Sequence, residues 1–229
     1  MSVDVRRSSR WPLIALITLT AALLGVFGMV ADEALEGDTV AFDSAVTALF
    51  RTADTNAVIG PLWLQEAVRD FTSLGSFTIL GLIVMASAVY LLLEKKAGTA
   101  IFLVVSVVAG TVISNVLKQT FNRPRPNVEA SLSVFTASFP SGHAALSAVV
   151  YLTLGALLSQ SARSPLIKGY LIGLALLMAF LVGVSRIYLG MHYPTDVIAG
   201  WSLGLSWAMI CWVIKQAFEA RMAASNILG

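Results

Sequence analysis

The chain has 229 residues and a net charge of only +2; 57% of its residues are hydrophobic and 12% are charged. Soluble globular domains carry roughly 25% charged residues, so this composition indicates a membrane protein and excludes an ordinary soluble domain. No block of Lys and Arg with interleaved aromatic residues occurs in the sequence, which argues against a nucleic-acid-binding function.

Six apolar runs meet or approach the length of about 20 residues that a helix needs to cross a bilayer. They cover residues 11–30, 77–93, 99–117, 143–158, 166–184 and 197–214. The first run is long for a signal peptide and is followed by a poor cleavage site, so we expect an uncleaved anchor. The pattern predicts an all-α, polytopic membrane protein with six transmembrane helices, organised as a single domain over residues 1–229.

The segment between the first two runs, residues 31–76, is acidic and amphipathic. Phe42 and Val46 begin a helical pattern, Gly60 interrupts it, and the pattern resumes over residues 63–71. We therefore expect two short interfacial helices that form an outer cap on the membrane surface. The cap is either a solvated cover or a lid for substrate, and the sequence leaves both interpretations open.

The placement of Lys and Arg predicts the orientation, because cytoplasmic loops are enriched in both residues. With the N-terminus inside, the cytoplasmic segments contain Arg6, Arg7, Arg10, Lys95, Lys96, Arg163, Lys168, Lys215 and Arg221. Apart from the motifs described next, the outer segments contain only Arg51 and Arg69. We expect an integral protein of the cytoplasmic (inner) membrane with both termini in the cytoplasm and with the loops after the first, third and fifth runs outside.

A cluster of three cations follows the third run directly, in an outer loop. It consists of Lys118, Arg123 and Arg125, and two prolines keep the arginines in an extended segment. Arginine binds phosphate oxygens through paired N–H groups, and lysine adds a point charge. Ordinary flanking charge favours the cytoplasmic side, so a basic cluster outside indicates an anion-binding site.

The fourth run opens with the sequence Pro140-Ser141-Gly142-His143. Ser141 is suited to cap a helix, and Gly142 allows a ligand to approach the backbone closely. Free N–H groups in the first turn of a helix bind anions, and a histidine there can donate a proton to a bound oxygen. Taken alone, the same sequence also fits an ordinary capped helix.

A second histidine lies just before the sixth run. His192 and Asp196 are four residues apart, so at helical spacing the carboxylate can reach the imidazole. A carboxylate bound to one ring nitrogen sets the tautomer and leaves the other nitrogen free to attack. Arg186 adds a cation on the same side. A two-histidine metal site is the chemical alternative, but too few ligands lie nearby and the cations would repel the metal.

Together, these three segments resemble the type 2 phosphatidic acid phosphatase superfamily. The family pattern is Lys, six residues, Arg-Pro; then Pro-Ser-Gly-His; then Ser-Arg, five residues, His, three residues, Asp. Residues 118–196 match it at every position. The resemblance implies an integral membrane lipid phosphatase that works without a metal ion or other cofactor. The substrates it implies are undecaprenyl pyrophosphate, phosphatidylglycerol phosphate or phosphatidic acid.

The resemblance also implies roles for individual residues. His192 would attack phosphorus to form a phosphohistidine, Asp196 would orient it, and His143 would protonate the leaving oxygen. The residues that would bind the phosphate are Lys118, Arg125, Ser141, Gly142 and Arg186. Arg123 is outside the pattern and is given an accessory role at most. A phosphotransferase with the same intermediate and a non-enzymatic transporter of anionic lipids remain alternatives, and the oligomeric state is open.

Overall fold

The computed structural model describes residues 11–53, 57–126 and 137–228. Within these ranges the chain forms eight α-helices and no strand, apart from an isolated bridge between Arg51 and Val58. The helices are α1 (Trp11–Glu36), α2 (Val40–Ala48), α3 (Leu62–Ser73), α4 (Phe77–Leu93), α5 (Ala97–Phe121), α6 (Gly142–Ser161), α7 (Pro165–Tyr188) and α8 (Pro194–Leu228). The all-α prediction is confirmed.

Five of the described helices, α1 and α5 to α8, are long and apolar enough to cross a membrane. A sixth span is present if α3 and α4, which meet at a bend of 50°, are taken together. Large apolar side chains such as Leu82, Val105 and Leu176 are exposed on these helices, as expected where lipid replaces water. The predicted polytopic membrane architecture is therefore confirmed with five or six candidate spans, and the second predicted run corresponds to α4.

Two helices, α1 and α8, extend furthest past the predicted ends of their apolar runs. α1 continues to Glu36, because Ala31 packs against Phe139 and Ala199 and so stabilises an additional turn. Residues 31–36, which we had predicted as part of the cap, therefore belong to α1. α8 continues to Leu228, well past the predicted end at residue 214.

The two short helices of the cap, α2 and α3, are present. Val46 and Phe50, at the end of α2, pack with Ile187 of α7 and Val197 of α8. Thr72 of α3 accepts a hydrogen bond from the Ser185 hydroxyl of α7 at 2.7 Å. Both short helices are thus attached to the ends of the long helices.

Close packing of α6 against α8 depends on glycine. A Cβ on Gly200 would lie 2.6 Å from the Ser141 carbonyl oxygen, and one on Gly204 would lie 2.4 Å from the Ala145 carbonyl oxygen. Small residues allow helix backbones to approach in this way within membranes. The close approach permits the backbone N–H of Ser141 to donate to the Asp196 carbonyl oxygen at 2.8 Å.

The three predicted motifs meet at one end of the helix bundle. They lie at the C-terminal ends of α5 and α7 and at the N-terminal ends of α6 and α8. α1 runs antiparallel to α8, since Ala31 lies beside Ala199 and Thr20 donates to the Met209 sulfur at 3.5 Å. The start of α1 and the end of α8 are therefore at the opposite end of the bundle. Arg6, Arg7 and Arg10, used in the orientation argument, lie outside the described residues.

Candidate active site

His192 and Asp196 are brought together as their spacing predicts. His192 lies in the short turn before α8, and Asp196 lies in the first turn of that helix. The His192 Nδ1 atom is 3.4 Å from Asp196 Oδ2. Both residues are almost completely buried, at 2% and 0% exposure. A buried carboxylate needs partners, and the histidine ring is one of them.

The other ring nitrogen of His192 contacts a cation. Arg125 Nη1 lies 3.2 Å from His192 Nε2, and the same Nη1 donates to the Met191 carbonyl oxygen at 2.8 Å. A guanidinium group can only donate hydrogen bonds, so Nε2 must be the acceptor in this contact. The proton of the neutral ring is therefore on Nδ1, facing Asp196, and the lone pair is on Nε2.

The electrostatic surroundings keep His192 neutral. Burial lowers the pKa of His192 to about 3; Asp196 opposes this shift, and Arg186 and Lys118 reinforce it. Desolvation dominates because the charged form of the ring would have to give up its hydration. At neutral pH the ring therefore retains a free nitrogen lone pair.

Asp196 is held on both oxygens. Oδ2 accepts hydrogen bonds from the Ser138 hydroxyl and from the Tyr193 backbone N–H, the latter at 2.9 Å. Oδ1 accepts from Arg123 Nη1 at 2.7 Å. Burial alone would lower the pKa of Arg123, but Asp196 and Asp43 outweigh this effect and raise the pKa above its usual value.

His143 lies in the first turn of α6 and borders a cavity of about 240 Å³. Gly142 and Ser114 line the same cavity. A Cβ on Gly142 would be 3.2 Å from Lys118 Cε, so glycine leaves room for the lysine beside the helix start. Lys118 itself is buried and donates to the Ala137 carbonyl oxygen at 2.9 Å.

Several buried polar atoms around the histidines have no partner in the protein. In the part of the chain that the structure describes, these include the Ser114 and Ser141 hydroxyl oxygens and the Arg186 Nε atom. Ser141 is at the N-cap position of α6, but its hydroxyl makes no capping hydrogen bond, contrary to the role suggested by the sequence. Among the described residues, the Arg186 side chain donates only a long hydrogen bond, from Nη1 to the Thr72 hydroxyl at 3.4 Å. Buried groups in this state are available to bind water or a polar ligand.

Comparison with known proteins assigns this arrangement to a family. A sequence profile of the PAP2 superfamily matches residues 99–220, which include all three motifs. The chain belongs to the PAP2 superfamily. Phosphatidylglycerophosphatase B of Bacillus subtilis is 31% identical over 170 residues, covering 73% of this chain and 81% of the relative. Undecaprenyl-diphosphatase of Sulfolobus acidocaldarius is 35% identical over 127 residues, covering 53% and 57%.

Solved structures agree with the PAP2 assignment. A crystal structure of a transmembrane PAP2-type phosphatidylglycerolphosphate phosphatase from Bacillus subtilis superposes with a TM-score of 0.77 and 25% identity, covering 86% of this chain and 96% of that one. The crystal structure of Aquifex aeolicus LpxE gives a TM-score of 0.54 and 27% identity, covering 73% and 93%. The protein is thus a PAP2-type membrane phosphatase, as the sequence predicted.

Four residues outside the PAP2 pattern contribute to the site without having been predicted. Asp43 and Thr39 of the cap and Thr195 of α8 surround the Arg123 guanidinium, and Ser138 binds Asp196. Arg123, which we had treated as accessory at most, contacts Asp196 directly. One feature of the sequence could have predicted a role for Asp43, since it is an acidic residue within the apolar pattern of α2.

Proposed function

We propose that the protein hydrolyses a phosphate monoester or pyrophosphate of a membrane lipid through a phosphohistidine formed on His192. The observation that carries this proposal is the contact of His192 Nε2 with a group that can only donate, Arg125. It leaves the lone pair on the nitrogen that faces the cations, while Nδ1–H faces Asp196. A phosphate that binds Arg125 would take the place of this contact and meet the lone pair directly.

The proposed reaction has two displacements at phosphorus. In the first, His192 Nε2 forms a bond to phosphorus as the bond from phosphorus to the leaving oxygen breaks. His143 gives its proton to that oxygen. In the second, His143 takes a proton from water as the water oxygen attacks phosphorus, which releases inorganic phosphate and restores His192. Asp196 stabilises the ring when it carries positive charge in the intermediate.

The phosphate oxygens would be bound by Lys118, Arg125 and Arg186, with the Ser141 hydroxyl and the backbone N–H of Gly142. Both Lys118 and Arg186 act electrostatically on His192, and Arg125 contacts it, so the three cations surround the nucleophile. The Ser141 hydroxyl and Arg186 Nε have unfilled hydrogen-bonding capacity. Donors fixed before the reaction stabilise the negative charge that develops in the transition state. In this scheme the protein's own cations stabilise that charge, and no metal ion or cofactor takes part.

A lipid is the favoured substrate because the site lies at one end of a membrane bundle. The cavity beside His143 is also lined by Phe77 and Asn115. Phe77 is 71% exposed on the outer surface of the helices, which supports a cavity that opens toward lipid headgroups. Undecaprenyl pyrophosphate, phosphatidylglycerol phosphate and phosphatidic acid are the proposed substrates. The two relatives named above are a phosphatidylglycerophosphatase and an undecaprenyl-diphosphatase.

We further propose that the site faces the outer, periplasmic side of the cytoplasmic membrane. The start of α1 and the end of α8 are at the bundle end opposite the site. Lys95, Lys96 and Lys215 border a cavity at that opposite end. Since cytoplasmic loops are enriched in Lys and Arg, that end with both termini is assigned to the cytoplasm.

The proposal is tested by measuring phosphate release from the three lipid phosphates by detergent-purified protein in the presence of a chelator. We expect release by the wild-type protein, and a ³²P-labelled protein intermediate that is stable to alkali and labile to acid. His192→Ala should abolish both. Transport of an anionic lipid by the wild-type protein without phosphate release, retained in His192→Ala, would refute the enzymatic mechanism. Phosphate transfer to an added alcohol in preference to water would indicate a phosphotransferase.

A further inference from the structure

Asp43 is a buried acidic residue in a cap whose other described acidic side chains are exposed to solvent. It lies on α2 and is 1% exposed, whereas neighbouring Asp38 is exposed. Burying an isolated carboxylate is costly, so such a residue is retained where it is fully paired. Asp43 meets this condition through contacts with residues far away in the chain.

The partners of Asp43 lie next to the candidate active site, in the segment after α5 and in the first turn of α8. Oδ1 accepts from the Thr195 backbone N–H at 3.0 Å, and Oδ2 accepts from the Thr195 hydroxyl at 2.8 Å. Oδ2 also pairs with Arg123 Nη2 at 2.8 Å. Thr195 immediately precedes Asp196, so Asp43 binds the backbone next to the carboxylate that holds His192.

Arg123 bridges the two carboxylates. Its Nη2 faces the cap, binding Asp43 and the Thr39 hydroxyl at 3.0 Å. Its Nη1 faces the site, binding Asp196 at 2.7 Å and the Thr195 hydroxyl at 2.9 Å. The guanidinium carbon also lies 4.4 Å from the centre of the Tyr193 ring. A planar guanidinium group that is hydrogen-bonded through both Nη atoms and contacts an aromatic ring on one face has little freedom to move.

We propose that Asp43 is a positioning residue for the nucleophile, acting through Arg123 and Thr195 to hold the Asp196 carboxylate in line with His192. The proposal rests on His192 being the nucleophile. Neither Asp43 nor Arg123 lines the cavity beside His143. Arg123 pairs with two carboxylates, those of Asp43 and Asp196. Without the Asp43 carboxylate, Arg123 would pair with Asp196 alone, and this stronger pairing would weaken the interaction of Asp196 with His192.

The first test compares Asp43→Asn with Asp38→Asn, which makes the same charge change at an exposed position of the cap. We expect Asp43→Asn to lower kcat and the rate of phosphoenzyme formation by about 10²-fold with KM nearly unchanged, since small misplacement of a reacting group costs this much. Asp38→Asn should behave as wild type. A wild-type kcat in Asp43→Asn, or a loss confined to KM or to the folded fraction, would overturn the proposal.

A second test asks whether Asp43 acts through Arg123. If Asp43 acts in part through Arg123, the loss of kcat in the double variant Asp43→Asn/Arg123→Gln should be smaller than the product of the two single-variant losses, since only the contacts with Thr195 act independently of Arg123. Additive losses would contradict this route. Should Asp43→Asn not fold, Asp43→Glu keeps the charge and displaces the carboxylate. Reduced kcat at an unchanged melting temperature then supports the role, and wild-type kcat rejects it. Failure of the proposed function has a different signature: no phosphate release by the wild-type protein, or activity in His192→Ala.

Discussion

Replacing Asp196 with asparagine gives a demanding test of the site, because the change keeps the shape of the side chain and removes one acceptor. Asp196 now accepts hydrogen bonds on both oxygens, from Arg123 on Oδ1 and from three donors near Oδ2. Asparagine has a single carbonyl oxygen, so its NH₂ group must face one of these two sets of donors. The orientation it adopts decides the effect on His192.

The relative strengths of the hydrogen bonds select the orientation. A hydrogen bond to a charged group contributes about 1.5–3 kcal/mol, against about 0.5–1.5 kcal/mol for a neutral one. Arg123 can only donate, whereas the Ser138 hydroxyl and the His192 ring can each become acceptors. The asparagine carbonyl should therefore face Arg123 and its NH₂ should face His192. The Tyr193 backbone N–H is then the only one of these groups that faces the asparagine NH₂, a second donor, without an acceptor.

The tautomer of His192 changes as a consequence. When Nδ1 accepts from the asparagine NH₂ group, the ring proton moves to Nε2, where it faces the Arg125 donor at 3.2 Å. The lone pair needed for attack on phosphorus is then absent. Loss of the correct tautomer in a carboxylate–histidine pair lowers kcat by about 10⁴-fold, which corresponds to about 5.5 kcal/mol.

The assay is single-turnover phosphoenzyme formation together with steady-state phosphate release, at matched amounts of folded protein. Ser138→Ala provides the control, since it removes one hydrogen bond to the charged Asp196 and keeps the carboxylate. We expect it to lower kcat by about 10- to 150-fold, in line with about 1.5–3 kcal/mol for a hydrogen bond to a charged group. If Asp196→Asn retained more than about a tenth of the wild-type kcat, the tautomer argument would be refuted.

Three further predictions address protonation, packing and orientation. Because burial lowers the pKa of His192 to about 3, its ring should remain neutral from pH 8 to about 5. The measurement is ¹⁵N-histidine NMR, in which the His192 signals are identified by their loss in His192→Ala, and protonation near pH 6.5 would contradict the expectation. Gly200→Ala should lower both activity and melting temperature, because its Cβ would meet the Ser141 carbonyl oxygen at 2.6 Å, whereas Gly173→Ala, with open space around it, should retain both. In a Cys211→Ala background, an impermeant maleimide should label Asp38→Cys but not Arg163→Cys in intact cells, and the reverse pattern would invert the proposed topology.

Much of the architecture could be predicted because the signals for membrane helices are local. Apolar run length and the residues flanking each run predicted α4 with its observed limits, Phe77–Leu93. They also predicted the existence and the central part of the other long helices, but not all of their ends. The pairing of His192 with Asp196 was predictable for the same reason, since four residues separate the two along the chain. Long-range packing decided the extension of α1 to Glu36, because Ala31 contacts Phe139 rather than lipid.

The roles of Arg123 and Asp43 show where local reasoning ends. By itself, the sequence determined that four cations and two histidines lie at the membrane boundary, because hydropathy and motif spacing depend on neighbouring residues only. Which of these cations pairs with a buried carboxylate was decided by the tertiary structure. Arg123 and Asp43 are 80 residues apart in the chain, and only the tertiary packing of α2 beside the segment that follows α5 brings them to 2.8 Å. The energetic requirement to pair a buried charge is general, but the identity of its partner depends on the folded arrangement.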